Sequence, residues 1–93
     1  MKALAENEIN DRLKSLEGWE YNDNAIHTAF EFENFKEAFT IMTRIAFEAE
    51  KLDHHPDWTN VYNQLQISLY THSENGVTEK DMALAEIING LVS

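Results

Sequence analysis

The run from Phe35 to about Lys51 carries Phe35, Ala38, Phe39, Met42, Ile45, Ala46 and Ala49 at helical spacing, and it stands between two stretches whose apolar residues alternate with period two. A chain patterned this way lays one long amphipathic helix against a sheet built from segments on both sides of it. Asn34, followed three residues later by Glu37, supplies a capping-box-like start. On the N-terminal side, Trp19-Glu20-Tyr21 and Ala25 to Phe32 flank the turn-forming Asn22-Asp23-Asn24. Ile26, Thr28, Phe30 and Phe32 alternate there against His27, Ala29 and Glu31, which reads as a hairpin. On the C-terminal side, Pro56 disfavours helix at His55, Trp58 to Tyr62 reads as a strand, Asn63-Gln64 as a turn, and Leu65 to His72 as a second strand. Leu65, Ile67, Leu69 and Thr71 face one way; Gln66, Ser68, Tyr70 and His72 face the more polar way.

Leu4, Ile9, Leu13 and Leu16 mark a first helix from about Glu6 to Glu17, stopped at Gly18. Its cap is weak. Leu4 and Ile9 form a hydrophobic staple, but Ala5 lacks the oxygen of a Ser or Thr cap, which costs about 1 kcal/mol. Ser73-Glu74-Asn75-Gly76 is a loop. Thr78 and Asp81 then make a capping box, with Val77 and Met82 as its staple, for a last helix striped by Leu84, Ile87, Ile88 and Leu91. The order is α-β-β-α-β-β-α. Two hairpins with no strand–helix–strand alternation predict an α+β fold: a four-stranded antiparallel sheet with helices packed on one face. With one Pro, three Gly and no linker or repeat, residues 1–93 read as a single domain.

A chain of 93 residues without cysteine buries only about 60–65% of its unfolded surface, so subunit association is expected to supplement a thin core. Ile41 and Phe47 fall off the stripe of the long helix. They are either the edges of one broad core face or a second apolar flank for a partner subunit.

Seven Lys and Arg against 17 Asp and Glu give a net charge of -10, which repels phosphate backbones and anionic lipid, so neither nucleic acid nor membrane is an expected partner. The start Met1-Lys2-Ala3-Leu4-Ala5-Glu6-Asn7 turns polar before a signal-peptide core forms, and no apolar run approaches the roughly 20 residues of a bilayer span. The expectation is a cytoplasmic protein. The absence of cysteine excludes disulfides, thiolate zinc sites and Cys nucleophiles.

Three of the four histidines, His54, His55 and His72, fall close together beside Glu50, Asp53, Asp57 and Asp81. Imidazole gives and takes protons near neutral pH, so acid–base chemistry is the leading option. Adjacent His54 and His55 must diverge, which points to proton transfer by one and ligand binding by the other. Metal ligation is the rival use, though no H-x-x-x-H or H-E-x-x-H spacing supports it. Asp81 has a second duty in its capping box. His27 reads as a plain exposed strand residue, and Trp19, Trp58, Tyr62 and Tyr70 as either core packing or a flat wall for a planar ligand. No Gly-rich phosphate loop or nucleophile elbow is present.

Glu50, His54-His55-Pro56, Tyr62, His72 and Asp81 together resemble the signature E-x3-H-H-P-x5-Y-x9-H-x8-D of the pterin-4a-carbinolamine dehydratases, and the likeness runs from Gly18-Trp19 to the last helix. The resemblance implies dehydration of 4a-hydroxytetrahydropterin to quinonoid dihydropterin during tetrahydropterin recycling, with no metal or redox cofactor. It implies His54 and His72 as the acid–base pair and His55 as a third catalytic-site histidine that holds the pterin. Pro56, Glu50 and Asp81 would also belong to the substrate-binding set, with Glu50 and Asp81 orienting or charge-balancing the imidazoles. It further implies the α+β fold above, and dimers or tetramers made by joining sheet edges and packing the long helices. Some animal members also serve as dimerisation cofactors of a homeodomain transcription factor, so a non-enzymatic binding module is the alternative.

Overall fold

A computed structural model describes residues 1–93. Its elements are α1 (Glu6–Leu13), β1 (Glu20–Asn22), β2 (Ala25–Glu31), α2 (Phe35–Leu52), β3 (Asp57–Val61), β4 (Gln64–Leu69) and α3 (Glu79–Val92), with a 3-10 turn at His72–Glu74. The order is the one expected from periodicity, and the fold is α+β. All strand pairs are antiparallel, in the order β1-β2-β4-β3, so each hairpin contributes one inner and one edge strand.

Local chemistry explains most of these boundaries. Asp23 and Asn24 both take positive φ (52 and 65), the paired left-handed geometry that a two-residue hairpin turn needs. Asn34 caps α2 by accepting from Glu37 N–H at 2.9 Å, while the Glu37 carboxylate reaches one residue further back, to Glu33 N–H at 3.3 Å. Thr78 and Asp81 form the complete capping box of α3. Ala5 caps α1 without a side-chain bond; Leu4 N–H instead donates to Val77 O at 2.7 Å, tying the N-terminus to the start of α3.

Alternation along β2 and β4 sends Ile26, Leu65, Ile67 and Leu69 against Ile45 of α2 and Leu84 and Ile88 of α3, all with essentially no exposed surface. Burial on the scale of about 1.5–3 kcal/mol per such side chain is what outweighs the entropy of ordering so short a chain.

Four expectations are corrected. Helix α1 ends at Leu13, not Glu17, and the chain turns through Lys14–Gly18, with Gly18 at φ 93. The turn carries Leu16 and Trp19 into the core, where Trp19 Nε1–H donates to Asn89 Oδ1 at 2.9 Å, a gain that straight helix would forfeit. Strand β4 stops at Leu69, because Thr71 leaves the ladder to pair with Gly76, and His72 starts a 3-10 turn instead of ending a strand. The β3–β4 turn is Tyr62-Asn63, one residue earlier than expected, held by mutual bonds of 2.8 Å between Asn63 and the Phe32 backbone. On α2 the buried line is Ala38, Ile45 and Ala49, with Met42 and Ile41 packed at its edge. Phe35, Phe39 and Ala46 point outward, and the two phenyl rings lie 5.8 Å apart on each other. The stripe was wide enough to face two ways, and the positions of the sheet and α3 chose the side.

Candidate active site

Helix α2 closes on Asp53 in the left-handed conformation (φ 53, ψ 44), with Asp53 N–H bonded to Glu50 O and His54 N–H to Ala49 O. This reversal is a helix C-terminal motif usually made by glycine, and Asp is among the few residues that tolerate it. It throws His54 back toward α3 and leads through Pro56 into edge strand β3.

At α3, Asp81 is fully buried. Its Oδ2 accepts from Thr78 N–H and from the Thr71 hydroxyl, both at 2.8 Å, and its Oδ1 meets His54 Nε2 at 2.5 Å. One carboxylate thus serves both as a helix cap and as a histidine partner. A carboxylate bonded this way only accepts, so His54 Nε2 carries a proton, and in the neutral imidazole Nδ1, which has no bond within the chain, holds the lone pair. The Thr71 and Thr78 hydroxyls lie 2.7 Å apart, and no buried polar side-chain atom is without a partner.

His55 diverges as required: its Nε2 lies 2.5 Å from Glu50 Oε2 on the last turn of α2, and both side chains are exposed. His72 makes no side-chain hydrogen bond, and its ring lies 6.4 Å from that of Tyr70 at 58°. His54, His55, His72 and Pro56 line one cleft of about 580 Å³ together with Asp57 and Tyr70. Glu50 and Asp81 are not part of its wall; they hold the histidines from behind. No three His, Asp or Glu side chains are grouped as a metal ligand set.

Of the four aromatic candidates only Tyr70 lines the cleft. Trp19 is core, Trp58 packs against the core, and exposed Tyr62 follows the far end of the five-residue β3, about 17 Å along the strand from the histidine loop. His27 is also corrected: it is half-buried, with Nδ1 at 2.7 Å from Ser68 Oγ and Nε2 at 2.9 Å from Asn22 O. Its partner Ser68 lies across the β2–β4 ladder, a contact that only strand register reveals.

The family model described as pterin 4 alpha carbinolamine dehydratase matches residues 2–91. The chain belongs to this family. Among curated dehydratase relatives, a protein of Christiangramia forsetii named "Putative pterin-4-alpha-carbinolamine dehydratase" is 61% identical over 92 residues, covering 99% of this chain and 95% of its own. A protein of Brucella ovis with the same name is 48% identical over 90 residues, covering 95% and 93%. The crystal structure of a transcriptional coactivator/pterin dehydratase from Brucella melitensis superposes with a TM-score of 0.96 at 46% identity, covering 99% of this chain and 100% of that one. A pterin dehydratase-like protein identified as a RuBisCO assembly factor shares the fold (TM-score 0.65, 16% identity, 78% and 84% covered). As in the sequence, no dehydratase-fold helix here is long and apolar enough to cross a membrane.

Proposed function

We propose that this chain removes water from a 4a-hydroxytetrahydropterin, yielding quinonoid dihydropterin for reduction back to tetrahydropterin. The observation that carries this reading is the His54–Asp81 pair, beside His72 and His55 in one cleft. The reaction moves two protons: the C4a hydroxyl gains one as its C–O bond breaks, and N5 gives one up as the N5=C4a double bond forms. His54, with Nε2–H held by Asp81, takes the N5 proton on Nδ1, and unpartnered His72 protonates the leaving hydroxyl. The two imidazoles then exchange a proton with solvent to restore the starting state. His55, braced by Glu50, grips the pterin, with Pro56 and Tyr70 as flat walls.

The test is the rate of quinonoid dihydropterin formation from freshly generated 4a-hydroxytetrahydropterin, with and without a chelator. Support is a chelator-insensitive acceleration that drops by roughly 10²-fold in His54→Ala and His72→Ala. A wild type no faster than buffer ends the dehydratase reading. A His55→Ala variant that kept pterin affinity but lost turnover would exchange the roles of His54 and His55.

The outer face of α2 favours a second, compatible reading as an interaction module. Phe35, Phe39 and Phe47 are 48%, 55% and 66% exposed, more apolar surface than a lone helix face usually leaves in water. We propose that a second copy of the chain covers it, giving a homodimer or homotetramer. Light scattering should show an oligomer that Phe39→Glu dissociates; a monomeric wild type refutes this second reading.

A further inference from the structure

We propose that Asn75 is a spontaneous modification site: its side-chain amide is lost to attack by the Gly76 backbone nitrogen, and the isoaspartate that forms disables the histidine cleft. Two of the three glycines in the chain follow asparagine, as Asn75-Gly76 and Asn89-Gly90. A glycine nitrogen has no side chain beside it, so it reaches the amide carbon of a preceding asparagine more readily than the nitrogen of any other residue. The fold itself demands this pair at 75 and 76. Asn75 closes the 3-10 turn at φ 53 and ψ 44, a left-handed conformation that asparagine accepts and most side chains resist. At Gly76 a Cβ would stand 3.1 Å from that of Ala3, on a segment tied down by the bond from Leu4 N–H to Val77 O.

The chemistry is a loss of ammonia followed by a gain of water. The Gly76 nitrogen bonds to Asn75 Cγ, the Cγ–Nδ2 bond breaks, and Nδ2 leaves as ammonia with the Gly76 amide proton. Water then opens the resulting five-membered imide at either carbonyl. Cleavage at Cγ gives aspartate; cleavage at the backbone carbonyl leaves the chain running through Cγ, which is isoaspartate.

The fold treats the two asparagines differently. At Asn89 both amide groups are engaged, Oδ1 accepting from Trp19 Nε1–H at 2.9 Å and Nδ2 donating to Glu17 O at 3.0 Å, and the Asn89-Gly90 peptide lies within α3. Asn75 is exposed and its side chain has no hydrogen bond. The Gly76 N–H reaches only Thr71 O, at a long 3.4 Å, and that carbonyl already accepts from Glu74 N–H at 3.1 Å. Residues 72–75 are all exposed, so this turn opens at little cost, whereas α3 opens only with the core around Ile88.

The consequence for turnover rests on the dehydratase reading; the modification itself does not. Thr71 pairs with Gly76 across the loop and its hydroxyl donates to Asp81 Oδ2 at 2.8 Å, and His72 is the next residue. Isoaspartate inserts an extra backbone carbon between Thr71 and Gly76 and so displaces His72. Aspartate tolerates the left-handed turn and only adds a carboxylate to a cavity already lined by Asp23 and Asp57.

The experiment incubates the protein at mildly alkaline pH, folded in one series and in concentrated urea in another. Trypsin then places Asn75 and Asn89 on separate peptides, 52–80 and 81–93. Fragment mass spectra locate each conversion, and enzymatic carboxyl methylation counts isoaspartate. In the folded protein Asn75 should convert at least about 10²-fold faster than Asn89, and in urea the two rates should agree within about threefold. The dehydration rate should decline as isoaspartate accumulates, with no such decline in Asn75→Gly, which keeps the left-handed turn. An Asn75 that stays intact in the folded protein while converting in urea, or equal rates at both asparagines in the folded series, overturns the site. A dehydration rate that holds steady as isoaspartate accumulates overturns its consequence. If fresh wild type shows no dehydration, that reading fails separately, and the His72 ring resonances of the isoaspartate form decide whether the cleft is displaced.

Discussion

Replacing Asp81 by Asn separates the two duties that its carboxylate performs. An amide of the same shape offers one acceptor and one donor where the carboxylate offers two acceptors. The Thr78 N–H at 2.8 Å is a fixed donor, so the Asn oxygen must take the Oδ2 position. The reverse placement would set two N–H groups face to face and leave a buried one unpaired, at about 1–3 kcal/mol. The NH2 group then faces His54 Nε2, which must become an acceptor, and the ring proton moves to Nδ1. Stability falls only by the difference between charge-assisted and neutral bonds plus the lost charge at a helix N-terminus, about 1–2 kcal/mol. Against a total of about 5–15 kcal/mol the variant stays folded. If His54 Nδ1 is the base, as proposed, activity falls far more, by about 10²–10⁴-fold, because the lone pair that would accept the N5 proton is gone. Urea unfolding, nitrogen–proton correlation spectra of the His54 ring and the dehydration rate measure the three quantities. The reasoning is refuted if Asp81→Asn moves the ring proton to Nδ1 yet keeps a rate within about threefold of wild type. Asp81→Ala serves as contrast: it also orphans the Thr78 N–H and should cost about 3 kcal/mol in the same urea series.

Tyr62 is a bulky residue in left-handed conformation (φ 51) with an exposed ring, so Tyr62→Gly should stabilise the protein by about 0.5–1 kcal/mol after glycine's own entropy cost, raising Tm by several degrees; a lower Tm contradicts the strain argument. Arg12 and Glu79 join α1 to α3 at 2.6 Å, and this hydrogen bond raises the Arg12 guanidinium and holds the Glu79 carboxyl below its ordinary value. The depressed carboxyl adds stability above the ordinary carboxylate range and loses it as pH falls through the lowered value. Glu79→Gln should therefore cost at most about 0.5 kcal/mol at neutral pH, a difference that disappears in acid and in about 1 M salt; a cost that persists in acid points to packing instead. Ile45→Ala, under the sheet at the centre of α2, should cost about 2–5 kcal/mol in urea unfolding, and a cost below about 1 kcal/mol would mean that the core is not closed there.

The elements with a strictly local cause are legible in the amino-acid sequence itself. Period-two alternation in Ala25–Glu31 and Gln64–Leu69, the Asn34 cap and the Thr78/Asp81 box depend on residues within a few positions of one another, and they appear where the chain predicts them apart from the two ends of β4. Divergence of His54 and His55 is likewise dictated by adjacency; of the motif residues, His54, His55, Pro56 and His72 line one cleft, while Glu50, Tyr62 and Asp81 lie outside its wall. What sequence could not decide depends on which elements stack. The apolar stripe of α2 spans an arc too broad to bury, and the packing of the sheet and α3 took Ile41 and left Phe35 and Phe39 outside. Helix α1 ended early because Trp19 found Asn89, seventy residues away. The pairing of Asp81 Oδ1 with His54 and of Ser68 with His27 requires a helix end and a strand register to be in place first. Periodicity reports the energy of a residue against its own neighbours in sequence, whereas these contacts are set by surfaces that meet only after the chain has folded.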